Sequence, residues 1–399
     1  MRVLVLNCGS SSLKYQLFNM RDERVMAKGL IERIGLDGPL LTHETDDFQQ
    51  AKVPVNAPDH KVAIQSVINT LIDPEMGVIG SMEEIRAVGH RVVHGGEKIA
   101  RSVLIDDPVL EVLEECTELA PLHNPANIMG IEACRSIMPD TPQVGVFDTA
   151  FHQTMHRSAY LYAIPYEYYE KYHVRRYGFH GTSHKYVAQR AAQLIDKPLE
   201  ELKIITCHLG NGSSVTAVKH GRSVDTSLGF GTLAGLPMGT RCGDLDPAVI
   251  PYLMDKENLT IDQISNVLYK KSGLFGISGV SSDMRDIEKE KDAGNERAAA
   301  AIEVFAHAVK RFIGTYTAVM GGVDAIVFTA GIGENAIEVR RMVCSDLDYL
   351  GTCLDEERNR VRGVEQEISR EGTKVKLFVI PTNEELMIAR ETREIALET

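Results

Sequence analysis

The chain predicts an α/β protein of two domains, and three observations carry that prediction. Apolar runs of strand length alternate with segments of helical period from one end to the other. A small-residue turn, Gly9-Ser10-Ser11, recurs as Gly212-Ser213-Ser214 about half the chain later, each time between two strand-like runs. Polar residues gather just past strand ends: Asn7, Arg91, Asp148, Asn211, Gly331 and Glu384. Ligands of open α/β sheets bind at that carboxyl edge. A chain of 399 residues also exceeds one ordinary core. The repeat reads as an internal duplication, each half offering one hairpin to a shared cleft.

The elements follow in order. Residues 3–6 and 13–18 form the first hairpin, whose turn offers hydroxyls, N–H groups and Lys14, the donors that hold phosphate oxygens. Residues 25–31 form a strand, and 37–59 are polar without a clear period. Residues 60–71 carry a helical stripe of Val62, Ile64, Val67, Ile68 and Leu71. A strand over 85–93 carries Arg91, helices cover 108–119 and 126–138, and the buried strand 143–147 delivers Asp148. A run of Tyr and Pro over 160–177 breaks this pattern. Residues 203–218 then repeat the hairpin, and 229–243 form a Gly-rich loop carrying Arg241. Helices follow at 247–254, 261–270 and 296–319. Strand 325–329 runs into Gly331-Ile332-Gly333-Glu334-Asn335, and strand 376–380 delivers Asn383 and Glu384 into a terminal helix. The expected division is 1–150 with 385–399 against 151–384, the second domain binding nucleotide.

Hydrophobic residues at 44% and charged ones at 25% are ordinary for a globular chain. The net charge of −13 argues against nucleic acid or an anionic membrane as partner, while leaving room for a locally positive cleft. The first apolar run is too short for a signal peptide and no later run reaches membrane-spanning length. Seven scattered cysteines without a C-x-x-C pair fit a reducing cytoplasm, the expected location.

Several motifs compete. Gly331 to Ala336 imitates a dinucleotide fingerprint, but no ribose-binding acid closes a strand after its helix. The P-loop and the protein-kinase motif set are missing. The histidine pairs His90/His94, His152/His156 and His180/His184 lack the companions of a zinc site. Thr182 or Ser183 reads as a helix N-cap, Ser281-Ser282-Asp283 as a cap, and Thr382 to Glu385 as a capping box that accounts for Glu385 and leaves Glu384 free.

Five stretches decide among these: Asn7-Cys8-Gly9-Ser10-Ser11-Ser12-Leu13-Lys14, residues 175–184 from Arg175 to His184, His208-Leu209-Gly210-Asn211-Gly212, Met238-Gly239-Thr240-Arg241, and residues 328–335 from Phe328 to Asn335. They closely resemble the signatures of the acetate kinase family, in register from first strand to terminal helix. The resemblance implies the actin-like ATPase superfamily: two domains of duplicated ribonuclease-H-like core with the active-site cleft between them. It also implies a homodimer, ATP/ADP as co-substrate, Mg²⁺ with Mn²⁺ as an alternative, and reversible phosphorylation of acetate to acetyl phosphate.

By the same resemblance Arg91 holds the acetate carboxylate, and Arg241 and His180 stabilise the transferred phosphoryl group. Asn7 and Glu384 hold the metal, and Asp148 acts on metal or by orienting the arginines. The family assigns Asp148 an acid/base role, but acetate is already ionised near neutral pH, which favours the electrostatic one. His208, Leu209, Gly210, Asn211 and Gly212 take the nucleotide phosphates with Lys14. Asp283, Met284 and Arg285 take the adenosine beside Gly331, Ile332, Gly333, Glu334 and Asn335. Val93, Leu122 and Phe179 wall the acyl methyl. A fourth wall, often proline in relatives, corresponds here to Thr232, which opens the question of propionate and other short-chain acids. Two further classes stand against this reading: an actin-like ATPase clamp, which has no use for Arg91, Arg241 and a small apolar pocket together, and a sugar kinase, which needs a polar set for hydroxyls. Catalytic domain closure is a corollary.

Overall fold

The computed structural model describes residues 1–121 and 123–398. The chain divides into two compact units, Met1–Phe151 with Asn383–Thr399, and His152–Thr382. Glu384 therefore belongs to the first unit.

The first unit is built on an eight-stranded sheet. Its strands are β1 (Arg2–Gly9), β2 (Ser12–Asn19), β3 (Arg24–Glu32), β4 (Leu40–Thr45), β5 (Gln49–Pro54), β6 (Ile85–Val92), β7 (Val103–Leu104) and β8 (Gln143–Phe147), in the order β5-β4-β3-β2-β1-β6-β8-β7. Pairing from β1 through β3 is antiparallel, whereas β6 and β8 run parallel to β1. The register sets Gly9 opposite Ser12, so Ser10 and Ser11 alone make the turn. Leu4, Leu6, Leu13 and Leu17 join Ile64, Val67, Ile68 and Leu71 of the helix His60–Ile72 in one core.

The helix Glu384–Glu398 returns to this unit and lies on β1, β6 and β8. Gly89 of β6 permits that approach, because a Cβ there would stand 2.3 Å from Thr392 Oγ1 and 2.8 Å from Ile388 Cγ2. Arg390 fastens the helix with a two-point pair to Glu23 at 2.9 and 2.6 Å.

The second unit carries a six-stranded sheet of β9 (Lys203–Leu209), β10 (Ser213–Lys219), β11 (Arg222–Thr226), β12 (Ala325–Thr329), β13 (Gln366–Glu367) and β14 (Lys376–Val379), ordered β11-β10-β9-β12-β14-β13. Here too the first three strands form an antiparallel meander, with two more parallel to β9. The series β3-β2-β1-β6-β8 thus recurs in order and sense as β11-β10-β9-β12-β14, the duplicated ribonuclease-H-like core. A 25-residue helix, Glu296–Met320, covers this sheet with Ala298, Ile302, Phe305, Val309, Ile313 and Tyr316 buried at helical spacing. The Asn295 side chain caps it by accepting from the N–H groups of Arg297 and Ala298.

Three expectations need correcting. Residues 37–59 contain β4 and β5, and β11 lies in a stretch assigned no strand. The helix containing Thr182 and Ser183 begins at Gly181 with His180 in the capping position at φ 57°, so neither hydroxyl caps it. At the terminal helix Asn383 Oδ1 accepts from Leu386 N–H at 3.1 Å, and Glu385 reaches Lys14 instead of closing a capping box.

Candidate active site

In the first unit the sheet brings polar groups to neighbouring strand ends. Arg91 lies near the end of β6, and Asp148 follows β8 directly, its N–H donating to the Val92 carbonyl at 3.0 Å. Arg91 Nε donates to Asp148 Oδ1 at 3.1 Å and Nη2 to Oδ2 at 2.6 Å. Of five guanidinium donors this fork uses two, and the other three remain for a second anion. The buried Asp148 carboxylate holds Arg91 more firmly protonated than an ordinary arginine, with burial opposing and Glu384 and Glu385 assisting. Glu384 Oε2 stands 4.0 Å from Arg91 Nε. Burial, then the negative charges of Asp148 and Glu385, push the Glu384 carboxyl up to about 7 against the pull of Arg91 and Lys14. Lys14 pairs with Glu385 and faces Asn7 across the β1–β2 register.

Two asparagines set this edge without having been singled out from the sequence. Asn127 Nδ2 donates to the Cys8 carbonyl at 2.9 Å while its Oδ1 accepts from Val93 N–H at 3.1 Å. Asn124 likewise takes both backbone groups of His94. Their signal in the sequence is two buried amides three apart in the first turn of the helix Asn124–Ile137, where apolar residues would otherwise face the sheet.

In the second unit His208 and Leu209 end β9, and Gly210, Asn211 and Gly212 make the turn into β10. His180 stacks on His208 with ring centroids 4.1 Å apart and 19° between planes. Its Nδ1 is 2.9 Å from Ser214 Oγ. Ser183 Oγ is 2.8 Å from both His208 Nδ1 and Thr382 Oγ1. A Cβ at Gly212 would stand 3.5 Å from His180 Nε2 and 3.9 Å from Arg241 Nη1, so the imidazole edge and the guanidinium converge on this turn. Arg241 Nη1 donates to the Thr232 carbonyl at 3.2 Å and approaches Met238 Sδ at 3.7 Å. No carboxylate among the described residues pairs with it, and burial draws its pKa down. A cation, an imidazole and exposed turn N–H groups at one glycine suit a phosphoryl oxyanion.

A cavity of about 600 Å³ opens beside this turn. Gly210, Asn211, Asp283, Met284, Arg285, Gly331, Ile332 and Asn335, all named for the nucleotide from the sequence, line it together with Ser282, Glu288, Ala336 and Arg362. The volume suits a nucleoside. Asp283 caps the helix Met284–Asp292 and also forks Arg285, whose side-chain and backbone hydrogen bonds hold its carboxyl down to about 2. Gly331 leaves open space where a Cβ would stand. Gly333 and Glu334 belong to the same short helix, Ala330–Asn335, where the Gly333 carbonyl accepts from Arg340 and the Glu334 carboxylate from Thr382 N–H.

Arg362 is placed by a group that local pattern could not reveal. The fully buried Arg340 donates to the carbonyls of Gly333 (2.9 Å), Asn359 (2.7 Å) and Val361 (2.8 Å) and to Asn359 Oδ1 (2.8 Å), tying two loops together. Burial lowers its pKa to about 10. Of the residues expected to wall an acyl methyl, Val93 is buried in the first unit and Phe179 in the second, and Leu122 lies outside the described residues.

The model of the family described as "Acetokinase family" matches residues 2–390. An acetate kinase of Halothermothrix orenii is 63% identical over 395 residues, 99% of each chain. The crystal structure of Porphyromonas gingivalis acetate kinase superposes with a TM-score of 0.96 at 48% identity, covering 99% of both chains. That of a propionate kinase from Francisella tularensis gives 0.91 at 42%, again over 99% of both.

Proposed function

The chain belongs to the acetokinase family, and on that premise we propose that it transfers the γ-phosphoryl group of ATP reversibly to acetate, giving acetyl phosphate and ADP. Membership weighs against the clamp and sugar-kinase readings. The observation that carries the chemistry is the convergence of His180 Nε2 and Arg241 Nη1 on Gly212.

The acceptor needs no base, because a carboxylate is already the nucleophile at neutral pH. Two anions must instead be brought together, so catalysis is positioning and charge neutralisation. Arg91, oriented by Asp148, offers its remaining donors to the acetate carboxylate. Arg241 and His180 meet the equatorial oxygens as the phosphoryl group leaves ADP, a contribution worth about 10³-fold or more for an arginine. His208 to Gly212 hold the phosphates, with Lys14 approaching them, and Asp283 to Arg285 and Gly331 to Asn335 enclose the adenosine.

A divalent cation fits the donors present. Among the described residues no three His, Cys, Asp or Glu side chains cluster as a metal cage. Asn7 and Glu384 supply hard oxygens, and the crowded carboxyl of Glu384, pushed up to about 7, favours an added positive charge. Mg²⁺ is held in this way, by one or two protein oxygens together with substrate phosphates, and Mn²⁺ accepts the same donors. Bound there, the ion would supply charge neutralisation on the phosphates.

By the family resemblance, the residues assigned to the acyl methyl are Val93, Leu122, Phe179 and Thr232. One methylene changes selectivity by about 1–3 kcal/mol, which makes propionate the slower substrate. The enzyme acts in the cytoplasm as a homodimer. Exposed Tyr166, Tyr168, Tyr172, Tyr252 and Ile261 of the second unit support self-association, and light scattering at the mass of one 44.1 kDa chain would count against it. Hydroxamate trapping of acyl phosphate with Mg-ATP tests the whole reading: acetate should lead propionate and butyrate. No product from any of the three acids would overturn it.

A further inference from the structure

The run of Tyr and Pro over 160–177 finds its partner at the entry of the Gly-rich loop 229–243. Arg176 Nη1 donates to the carbonyls of Thr226 (2.8 Å), Ser227 (3.1 Å) and Leu228 (3.1 Å). The next carbonyl, that of Gly229, accepts from the N–H groups of Tyr177 (3.1 Å) and Gly178 (3.3 Å). The next N–H, that of Phe230, donates to Tyr162 Oη at 2.8 Å. One segment thus holds five successive residues of the chain leading into the loop. That segment is itself closed, because Arg176 N–H donates to the Tyr160 carbonyl at 2.7 Å.

Beyond Phe230 the support thins. Among the described residues, the one hydrogen bond reaching 231–234 is that from Arg241 Nη1 to the Thr232 carbonyl at 3.2 Å. These residues form a small lobe with a narrow neck. A Cβ at Gly229 would stand 2.5 Å from Tyr162 Oη and 3.2 Å from Ala234 Cβ, so glycine is what admits the hydroxyl. The lobe takes its placement from the fixed groups on either side. One is Phe230 on Tyr162, and the other is Gly235, which exchanges hydrogen bonds with Asp244. Asp244 is local to the loop, whereas Tyr162 ties the lobe to a separate segment.

We propose that Tyr162 is a positioning residue for the transfer reaction. Through Phe230 it places Thr232, whose carbonyl aims Arg241 and whose side chain is assigned to the acyl methyl. A hydrogen bond weakens steeply as its angle departs from linear, so the aim of Arg241 depends on where that carbonyl lies. Because both tasks fall on Thr232, a shift of the lobe disturbs the rate and the choice of acid together. That consequence rests on the roles given above to Arg241 and Thr232, whereas the anchoring of the lobe does not.

Tyr162→Phe removes one hydroxyl and keeps the ring near Arg176, whose guanidinium carbon lies 6.0 Å from the ring centroid. In the full-length protein, hydrogen–deuterium exchange over 229–235 should rise while the melting temperature stays within about 4 °C of wild type. The kcat with acetate should fall about tenfold, and the propionate-to-acetate ratio of kcat/KM should rise about threefold. The KM for ATP should not change, because neither Tyr162 nor the lobe lines the nucleotide cavity. Unchanged exchange over 229–235 overturns the proposal, as do faster exchange with an undiminished kcat and an equal loss of kcat and ATP affinity. A lower kcat with an unchanged acid ratio upholds the aiming of Arg241 and overturns the part that concerns the Thr232 side chain. If the wild-type chain forms no acyl phosphate, the function proposed above falls, and the exchange result alone decides whether Tyr162 anchors the lobe.

Discussion

Arg91 and Arg241 are held in opposite ways. Arg91 is forked by the buried Asp148 and has Glu384 within 4.0 Å, so its charge is answered inside the protein. Arg241 has a carbonyl and a thioether for partners and a burial cost opposing its charge. A buried cation without a counter-ion is expensive. The difference separates two tasks. An arginine that aligns a ground-state carboxylate gains from a rigid fork behind it, whereas one whose anion forms during the reaction gains from having nothing to exchange.

The sharpest way to break this contrast is Arg241→Ala. It should lower kcat about 10³-fold and leave ATP affinity, by calorimetry, within about threefold. Equal losses in both would make Arg241 a ground-state nucleotide ligand like the residues of the cavity.

Asp148→Asn comes next in size. Breaking one side of a buried pair costs about 3 kcal/mol or more in stability, which a denaturant titration reads. The KM for acetate should rise at least about tenfold as Arg91 loses its alignment. An unchanged KM would mean that the fork holds the fold and not the substrate.

The smallest effect is a pH dependence centred on Glu384. With its carboxyl raised to about 7, the metal-free folded protein binds more protons than the unfolded chain between the ordinary glutamate range and 7. Stability should therefore be fully present at the acid end of that window and decline as pH rises through it. The proton also competes with a cation, so apparent Mg²⁺ affinity should weaken about tenfold per pH unit below 7. Glu384→Gln should remove that slope. A Mg²⁺ dependence flat from pH 5.5 to 7, measured by titration, would exclude Glu384 as a ligand.

How far the sequence disclosed this site depends on the range of the interaction involved. The two hairpins were legible because turn chemistry is local, Arg91 because it lies near the end of an apolar strand, and Asp148 and Glu384 because each follows one. The strands β4, β5 and β11 were not, since half-exposed edges dilute the alternation that marks a strand. Thr382 to Glu385 matched a capping box that the helix does not use, because Glu385 finds Lys14 far away in sequence. Arg340 and Asn127 were silent for the same reason: their partners lie on other elements, and no spacing announces them.

The terminal helix has a bearing on how the molecule is made. It seats on strands that precede the whole second unit in the chain, against the bare backbone of Gly89, and its first residue is Glu384. The second unit is made from one continuous stretch of chain, whereas the first lacks one covering layer until a segment beyond the second unit is joined to it. A chain cut short near residue 380 would carry an open sheet face and no Glu384.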